Sequence, residues 1–334
     1  MDRDEWRLGI GCLGAARIAP EVIVRPASVR GDVDLVAVAG RSTERARAFA
    51  QRHGFARVLP DYLSVISDPD VTLIYNPLPV SHHAQWSIKA LEAGKDVLCE
   101  KPFAMNVQEA KSVLDAARAN GRRVIEAMHY RYHPAFLAVL EWVRSGRIGC
   151  VERIEACLNV AIPDGGGQEI RHLPETGGGA FMDLGCYPLN WAMSLMDWSI
   201  PCVVAEGRRT ARGVDEWMSA VLSFPGGIEA HLSASMAMEV ETRCWLEVTG
   251  SAGRVRFDNP CVPHLGYTLE LETDAGIVCP VVDRTTTYLH QMNALVEALR
   301  TGTPMASEGH YILQQQALLD DIYVAASMGD LRFR

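Results

Sequence analysis

The chain has 334 residues, more than one ordinary hydrophobic core supports, so two domains are expected. Hydrophobic residues make up 48% of the sequence and charged residues 22%, as is usual for a soluble globular protein. The formal net charge of -9 argues against a nucleic-acid-binding protein, whose surface would carry a basic patch.

Two features of the sequence bear on the cellular compartment of the protein: its opening segment, MDRDEWR, and the spacing of its cysteines. The segment is charged and has no apolar core, so we do not expect a secretory signal. No apolar run approaches the ~20 residues that cross a bilayer, so no contact with a membrane is expected. The nine cysteines are scattered singly, without a C-x-x-C pair, which fits neither a zinc ribbon nor a disulfide framework. We therefore expect a cytoplasmic protein with reduced thiols.

Strand-like and helix-like segments alternate over residues 1–128. Short apolar runs predict strands at residues 7–13, 33–40, 71–76, 96–102 and 122–129. Helical composition lies between them, at residues 17–27, 43–54, 82–94 and 107–121. Thr43 is the predicted cap of the second helix and Gly54 its predicted stop. The alternation predicts an α/β fold that begins with a doubly wound parallel sheet, as in a Rossmann domain that binds NAD(P).

Residues 129–334 are rich in strands instead, and we expect a second domain there that binds substrate and forms the oligomer. Helices are predicted at residues 132–146, 287–301 and 308–328. Strand-like segments lie at residues 151–162, 202–211, 216–224, 228–238, 244–249, 253–257 and 267–272. This pattern predicts an α+β domain with a large, open, mostly antiparallel sheet. The glycine-rich residues 163–180 are expected to form a mobile loop.

Two glycine registers compete at the end of the first strand. The literal G-x-G-x-x-G uses Gly9, Gly11 and Gly14, but it leaves only a stub of strand before its first glycine. The shifted register begins at Gly14, after a complete strand, and leads directly into the helix. We favour the shifted register as the site for a dinucleotide phosphate. Its predicted contact residues are Gly14, Ala15, Ala16, Arg17 and Ile18, with Ala19 packing the helix on the strand. The alternative is that these small residues serve packing alone.

Arg41 and Ser42 follow the second strand, at the position where NAD-dependent enzymes usually carry an acidic residue for the ribose hydroxyl. A guanidinium group suits a 2′-phosphate and can stack on adenine. We therefore expect NADP as the cofactor, with NAD possible. The alternative is an exposed arginine at the start of a helix.

Three side chains are candidates for the chemistry. Lys101 follows a buried strand, at the edge of the sheet where ligands bind, and its ammonium group could bind a substrate oxygen. Asp183 and Tyr187 are four residues apart and would share one face of a helix. Asp183 could orient a hydroxyl group or the lysine, and Tyr187 could transfer a proton. The alternative for Lys101 is a charged residue at the end of a strand that reaches solvent. The alternative for Asp183 and Tyr187 is a pair of polar residues on a solvent-exposed helix face.

Five segments together resemble the Gfo/Idh/MocA oxidoreductase family, in its branch of dihydrodiol and D-xylose dehydrogenases. In chain order they are GAARIA, GRS, NPLPVSHHAQWSIKALEAGKDVLCEKP, EAMHYRYHP and GGGAFMDLGCYPLN. The resemblance implies catalytic roles for Lys101, Asp183 and Tyr187, where many members have histidine in place of the tyrosine. The proton donor is then Tyr187, Lys101 or the two coupled. The resemblance also implies that Asn76, Pro77, His82, Glu100 and Arg131 line the cofactor site.

The residues and the resemblance predict the same reaction, in which a hydride passes between NADP(H) and a carbinol or carbonyl carbon of a sugar or cyclic diol. Two alternatives remain open: a non-catalytic regulator that senses a nucleotide or a sugar, and a sugar–sugar oxidoreductase with a tightly held cofactor. No metal is expected, because the histidines, His129, His133, His172 and His290 among them, are not spaced as ligands. The exposed face of the second sheet predicts a homodimer or homotetramer.

Overall fold

A computed structural model describes residues 6–281 and 283–332. The charged opening residues 1–5 therefore lie outside the described part of the chain. Unit 1 comprises Met1–Ala104, Gln108–His129 and Tyr288–Ile312, and unit 2 comprises Met105–Val107, Tyr130–Thr287 and Leu313–Arg334. Among the described residues, no helix combines the length and the apolar composition needed to cross a bilayer.

Unit 1 contains a six-stranded sheet. Its strands are β1 (Leu8–Leu13), β2 (Val33–Ala39), β3 (Arg57–Val58), β4 (Leu73–Asn76), β5 (Asp96–Cys99) and β6 (Val124–Glu126). The order is β3-β2-β1-β4-β5-β6, and every neighbouring pair is parallel. The predicted doubly wound parallel sheet is therefore confirmed. The strand order reverses between β1 and β4, so a ligand site is expected at the carboxyl ends of these strands.

Four of the five helices that follow these strands lie where the sequence predicts them. They are α1 (Arg25–Ser28), entered through a π-helical turn at Pro20–Val24, α2 (Thr43–His53), α3 (Tyr62–Ser67), α4 (His83–Glu92) and α5 (Val107–Ala119). Ser42, not the predicted Thr43, caps α2, because the Ser42 hydroxyl accepts a hydrogen bond from the N–H of Arg45. Gly54 ends this helix in the left-handed conformation, with φ of 78°, as predicted.

The sequence did not predict β3 or α3. β3 has two residues and pairs with β2 at the edge of the sheet. α3 has six residues, and its cap is the carboxylate of Asp61, which accepts a hydrogen bond from the N–H of Ser64. Neither element is long enough to display its period in the sequence.

Unit 2 contains an eight-stranded sheet with the order β14-β13-β12-β11-β7-β10-β9-β8. In chain order the strands are β7 (Val151–Asn159), β8 (Cys202–Arg209), β9 (Asp215–Ser223), β10 (Glu229–Ser235), β11 (Arg243–Gly250), β12 (Gly253–Asp258), β13 (Thr268–Thr273) and β14 (Gly276–Val278). All neighbouring pairs are antiparallel except β7 and β10, so the predicted mostly antiparallel sheet is confirmed. The helices of this part of the chain are α6 (Pro134–Arg144) and α7 (Cys186–Leu195), and α7 packs against β7 and β10.

The last two helices are α8 (Thr287–Thr301) and α9 (His310–Ala325), and the segment Tyr288–Ile312 belongs to unit 1. The guanidinium of Arg123 donates to the carbonyl of Ala298 at 2.5 Å and to the carboxylate of Glu308 at 2.7 Å. The predicted second domain, residues 129–334, therefore includes a segment of unit 1. The sequence could not predict that the chain returns to unit 1 at Tyr288–Ile312, because this depends on contacts between residues far apart in the chain.

Candidate active site

The turn after β1 falls at Gly14, as the shifted register predicts. Gly14 has φ of 108°, a conformation that favours glycine, and its N–H donates to the carbonyl of Ala39 at 2.7 Å. Gly9 and Gly11 lie inside β1. A Cβ atom on Gly9 would lie 2.0 Å from the carbonyl oxygen of Asp70, and one on Gly11 would lie 2.7 Å from the nearest buried aliphatic side chain. The first two glycines of the literal register are therefore required by strand packing.

A cavity of about 440 Å³ opens at this turn. Its lining residues are Leu13, Gly14, Ala15, Ala16, Gly40, Arg41, Ser42, Arg45, Tyr62, Pro77, Leu78 and Pro79. Six of the predicted cofactor residues are among them: Gly14, Ala15, Ala16, Arg41, Ser42 and Pro77. Two further lining residues were not among the predicted contacts: Arg45, in the first turn of α2, and Tyr62, on the unpredicted helix α3.

The cavity suits an anionic nucleotide. Arg41 and Arg45 bring two guanidinium groups to it, and no carboxylate is among its lining residues in the described chain. A second, open cavity of about 280 Å³ shares Ala15 and Arg45 and adds Arg52 of α2. The positive charge and the glycine turn fit a dinucleotide whose ribose carries an extra phosphate.

The other predicted cofactor residues do not line this cavity. Arg17 and Ile18 are exposed, whereas the neighbouring Ala19 is buried, as expected for close packing of helix on strand. Asn76 is fully buried, and its side-chain amide donates to the carbonyl of His83 and to the hydroxyl of Ser87, both at 3.1 Å. Asn76 therefore holds the segment after β4.

His83, rather than the predicted His82, contacts the loops of the site. His82 is exposed, whereas His83 is buried and its ring nitrogens lie 2.7 Å from the carbonyl oxygen of Leu78 and 3.1 Å from that of Pro102. Burial lowers the pKa of His83 to about 4, so the imidazole is neutral at physiological pH. It links the loop after β4, which lines the cavity, to the loop after β5.

Lys101 and Glu100 follow β5, at the carboxyl edge of the parallel sheet. The carboxylate of Glu100 accepts a hydrogen bond from the hydroxyl of Tyr75 at 2.8 Å, and its second oxygen lies 3.3 Å from the N–H of Lys101. Tyr75 is fully buried, and burial raises its pKa well above the usual value, so its hydroxyl stays protonated and donates. Tyr75, which the sequence did not single out, therefore fixes the segment that carries the lysine.

Asp183 and Tyr187 lie in unit 2, at the junction of a π-helical turn, Phe181–Gly185, with α7. Gly185 allows the ring of Phe181 to pack closely, since a Cβ atom at Gly185 would lie 2.4 Å from that ring. Pro188 falls in the first turn of α7.

The environments of the two polar side chains differ. Tyr187 is 6% exposed, and its ring packs near those of Tyr130 and Trp191, at centroid distances of 5.9 and 6.4 Å. Asp183 is more accessible, and its carboxylate lies 3.6 Å from a guanidinium nitrogen of Arg171. The sequence identified the acid and the phenol but not this arginine.

Arg131 occupies a buried network in unit 2. Its guanidinium donates to the side-chain oxygen of Asn190 at 2.6 Å and to the hydroxyl of Ser194 at 2.8 Å, and it stacks over Trp198. Tyr130 donates to the same oxygen of Asn190 at 2.5 Å. These hydrogen bonds join Tyr130 and Arg131 to α7, the helix that carries Tyr187. Arg131 is not among the residues that line the nucleotide cavity.

Two of the histidines have structural contacts. A ring nitrogen of His133 accepts a hydrogen bond from the N–H of Ala135 and so caps α6. His172 is buried, with a ring nitrogen 2.8 Å from the carbonyl oxygen of Ile162. His133 therefore caps a helix, and His172 is bound to the segment of Ile162.

Comparison with known proteins gives matches in both units. The model of the oxidoreductase family with an NAD-binding Rossmann fold matches residues 8–128, and that of the GFO/IDH/MocA C-terminal domain matches residues 136–256. The resemblance inferred from the motifs is therefore confirmed, as are a nicotinamide dinucleotide cofactor and oxidoreductase chemistry.

Two curated relatives and one solved structure cover nearly the whole chain. A dTDP-3,4-didehydro-2,6-dideoxy-α-D-glucose 3-reductase from Streptomyces violaceoruber is 33% identical, over 96% of this chain and 96% of its own. An NADP-dependent D-xylose 1-dehydrogenase from Haloferax volcanii is 30% identical, over 96% and 97%. A crystal structure of a 3-ketoreductase from Actinomadura kijaniata with NADP and TDP-benzene is 26% identical, with a TM-score of 0.86 over 96% of this chain and 98% of that one.

Proposed function

Because this chain belongs to the Gfo/Idh/MocA oxidoreductase family, we propose that it is an NADP(H)-dependent enzyme that interconverts a carbinol and a carbonyl group on a sugar or cyclic diol. The observation that carries the proposal is the arginine-lined cavity at the Gly14 turn. Lys101 follows β5 at the same carboxyl edge of the parallel sheet. Ligands of open α/β sheets bind at this edge.

The choice of NADP(H) over NAD(H) rests on charge. Arg41 and Arg45 line the cavity, and no carboxylate is among its described lining residues, although one would be expected there for an unphosphorylated ribose. The D-xylose dehydrogenase relative is NADP-dependent, and the related 3-ketoreductase was crystallised with NADP. Gly14, Ala15 and Ala16 would hold the pyrophosphate through backbone N–H groups, and Arg41 with Ser42 would hold the 2′-phosphate.

The reaction requires one proton to move for each hydride. When bound, NADP(H) supplies the hydride acceptor or donor. Lys101 and Tyr187 are the groups of this chain that we assign to the substrate oxygen, as proton donor and acceptor either singly or as a coupled pair. Asp183 would orient a substrate hydroxyl group or the Lys101 ammonium. Burial of Tyr187 keeps its phenol in a fixed orientation, which an acid–base group needs.

The proposal is tested by initial rates of NADP⁺ reduction with a panel of aldoses and cyclic diols, and of NADPH oxidation with the corresponding carbonyl compounds. Lys101→Met and Tyr187→Phe should each lower kcat by ~10²- to 10⁴-fold, the usual contribution of a positioned acid–base group, and should still bind NADPH. Lys111→Met is the matched control, since Lys111 is exposed on α5. Full turnover in either site variant would remove that residue from the mechanism, and no turnover by the wild type with any compound would contradict the activity.

We extend the proposal to assembly and compartment. A homodimer or homotetramer through the second sheet is supported by half-exposed Trp217 and Trp245, which alternate with buried residues along β9 and β11. Val204 of β8 is 70% exposed. All nine cysteines are free thiols, three of them exposed, as suits the reducing cytoplasm.

A further inference from the structure

We propose that Arg171 is a positioning residue for Asp183: it holds the carboxylate in one orientation and keeps it as a hydrogen-bond acceptor for a neutral substrate hydroxyl group. This inference rests on the proposed function, because it gives Asp183 a place in the reaction. Nothing in the sequence pattern singled out Arg171.

The side chain of Arg171 contacts two carboxylates. One guanidinium nitrogen lies 3.6 Å from a carboxylate oxygen of Asp183, and the Nε–H donates to the carboxylate of Glu169 at 2.9 Å. The side chains of Glu169, Arg171 and Asp183 are 11%, 33% and 23% exposed, so the cluster is only partly hydrated. The guanidinium therefore lies between two carboxylates, with Nε bound to Glu169 and a terminal nitrogen paired with Asp183.

The backbone of this segment is tied to the start of the π-helical turn. The N–H of Gly179 donates to the carbonyl of Arg171 at 2.9 Å, and the N–H of Gly178 donates to that of Leu173 at 3.0 Å. A Cβ atom at Gly178 would lie 2.5 Å from the carbonyl oxygen of Arg171. Gly178 and Gly179 thus allow two segments to approach closely, which brings Arg171 to Asp183.

A second anchor lies beneath the same segment. Gly179 has φ of 135°, and a Cβ atom there would lie 2.1 Å from a carboxylate oxygen of Asp215. That buried carboxylate accepts hydrogen bonds from the N–H of Phe181 at 2.7 Å and from the hydroxyl of Tyr323 at 2.6 Å. The π-helical turn that carries Asp183 is therefore fixed at its first residues, and Arg171 acts on a rigid support.

The charges of the cluster favour a neutral ligand group. Burial opposes the charge of Arg171, but the hydrogen bond to Glu169 and the charge of Asp183 outweigh it and raise the guanidinium pKa above its usual value. The cluster of two carboxylates and one guanidinium carries a net negative charge, so it would repel a phosphate or carboxylate of the substrate. A sugar hydroxyl group can donate to Asp183 without this cost.

A double-mutant cycle on the full-length enzyme tests the inference. Arg171→Gln should lower kcat by about 10- to 100-fold, the range expected when a reacting group is misplaced, and should leave KM for NADPH within about two-fold. Combining Arg171→Gln with Asp183→Asn should cost little more than Asp183→Asn alone, because both changes disable the same group. Arg212→Gln is the matched control, since Arg212 lies near the same loop and pairs with Asp164 at 3.3 Å. It should retain wild-type kcat.

Two rescue measurements distinguish positioning from a loss of folding. Arg171→Lys should keep more activity than Arg171→Gln, and millimolar guanidinium should restore part of the activity of Arg171→Ala. Multiplicative effects of the Arg171 and Asp183 changes, or full activity in Arg171→Gln, would overturn the inference while leaving the proposed reaction intact. Full activity in Asp183→Asn would instead remove Asp183 from the proposed reaction, and with it this role of Arg171.

Discussion

At the scale of single residues, we propose that the positive charge following β2 selects a phosphorylated ribose. Arg41 and Arg45 both line it, and Ser42 lies between them with its hydroxyl engaged as the cap of α2. A guanidinium binds a phosphate through two parallel hydrogen bonds, and a hydrogen bond to a charged group contributes about 1.5–3 kcal/mol. Selectivity for NADPH should therefore depend on very few atoms.

Arg41→Ala should weaken NADPH binding by about 10- to 100-fold and leave NADH binding nearly unchanged, because only NADPH carries the 2′-phosphate. Fluorescence titration of the two nucleotides gives both dissociation constants. Arg47→Ala is the control, since Arg47 is exposed on the same helix and lines neither cavity. An unchanged ratio of the two constants in Arg41→Ala would contradict the role of this residue.

The sequence can identify residues whose neighbours along the chain define them, and it misses those defined by distant contacts. Lys101 follows its strand directly, so its position at the sheet edge is predictable. Tyr75 and Glu100, in contrast, are 25 residues apart, and His83 and Pro102 are 19 apart. Their pairing depends on which strands become neighbours, which a single sequence does not specify.

At the scale of elements, the glycines of β1 permit dense packing around the central strand. The Cβ position of Gly9 is blocked by the carbonyl of Asp70, and that of Gly11 by buried aliphatic side chains. Most boundaries were predictable because their signals are local, as at Gly54. β3, α3 and β14 were not, since each is too short to show a period.

Gly9→Ala should lower the free energy of unfolding by ~1–3 kcal/mol, because the added methyl group forces β1 and the segment of Asp70 apart. Thermal unfolding followed by circular dichroism measures the change. Gly31→Ala provides the comparison, since a Cβ atom there meets nothing within 4 Å. Equal thermal unfolding midpoints for the two variants would show that β1 accommodates the added methyl group without loss of stability.

At the scale of the whole molecule, the second sheet presents a regular surface. Across the sheet, Ser219 pairs with Ser233, which pairs with Cys157, which pairs with Trp245. The inward-facing neighbours of these residues, such as Ala220 and Leu246, are buried, whereas both serines and the tryptophan are half-exposed. Ser219, Ser233 and Cys157 have small side chains, which let a second sheet approach this part of the row closely.

The wild-type protein should elute in size-exclusion chromatography with light scattering as a dimer or tetramer at micromolar concentration. Ser233→Arg should shift it towards the monomer, because the charge would be buried between the two sheets. Ser112→Arg adds the same side chain on the exposed face of α5 and should not change the mass. A monomeric wild type would argue against assembly.

The return of Tyr288–Ile312 to unit 1 has a consequence for biosynthesis. Ile125, in the edge strand of the first sheet, forms an antiparallel bridge with Glu308, so the ribosome must translate most of the message before that edge acquires its partner. Until then the edge strand of the nascent nucleotide-binding half lacks this partner. An unpaired strand edge is prone to bind chaperones or to pair with the wrong strand. A gene fragment cut after residue 128 would encode the same unfinished edge.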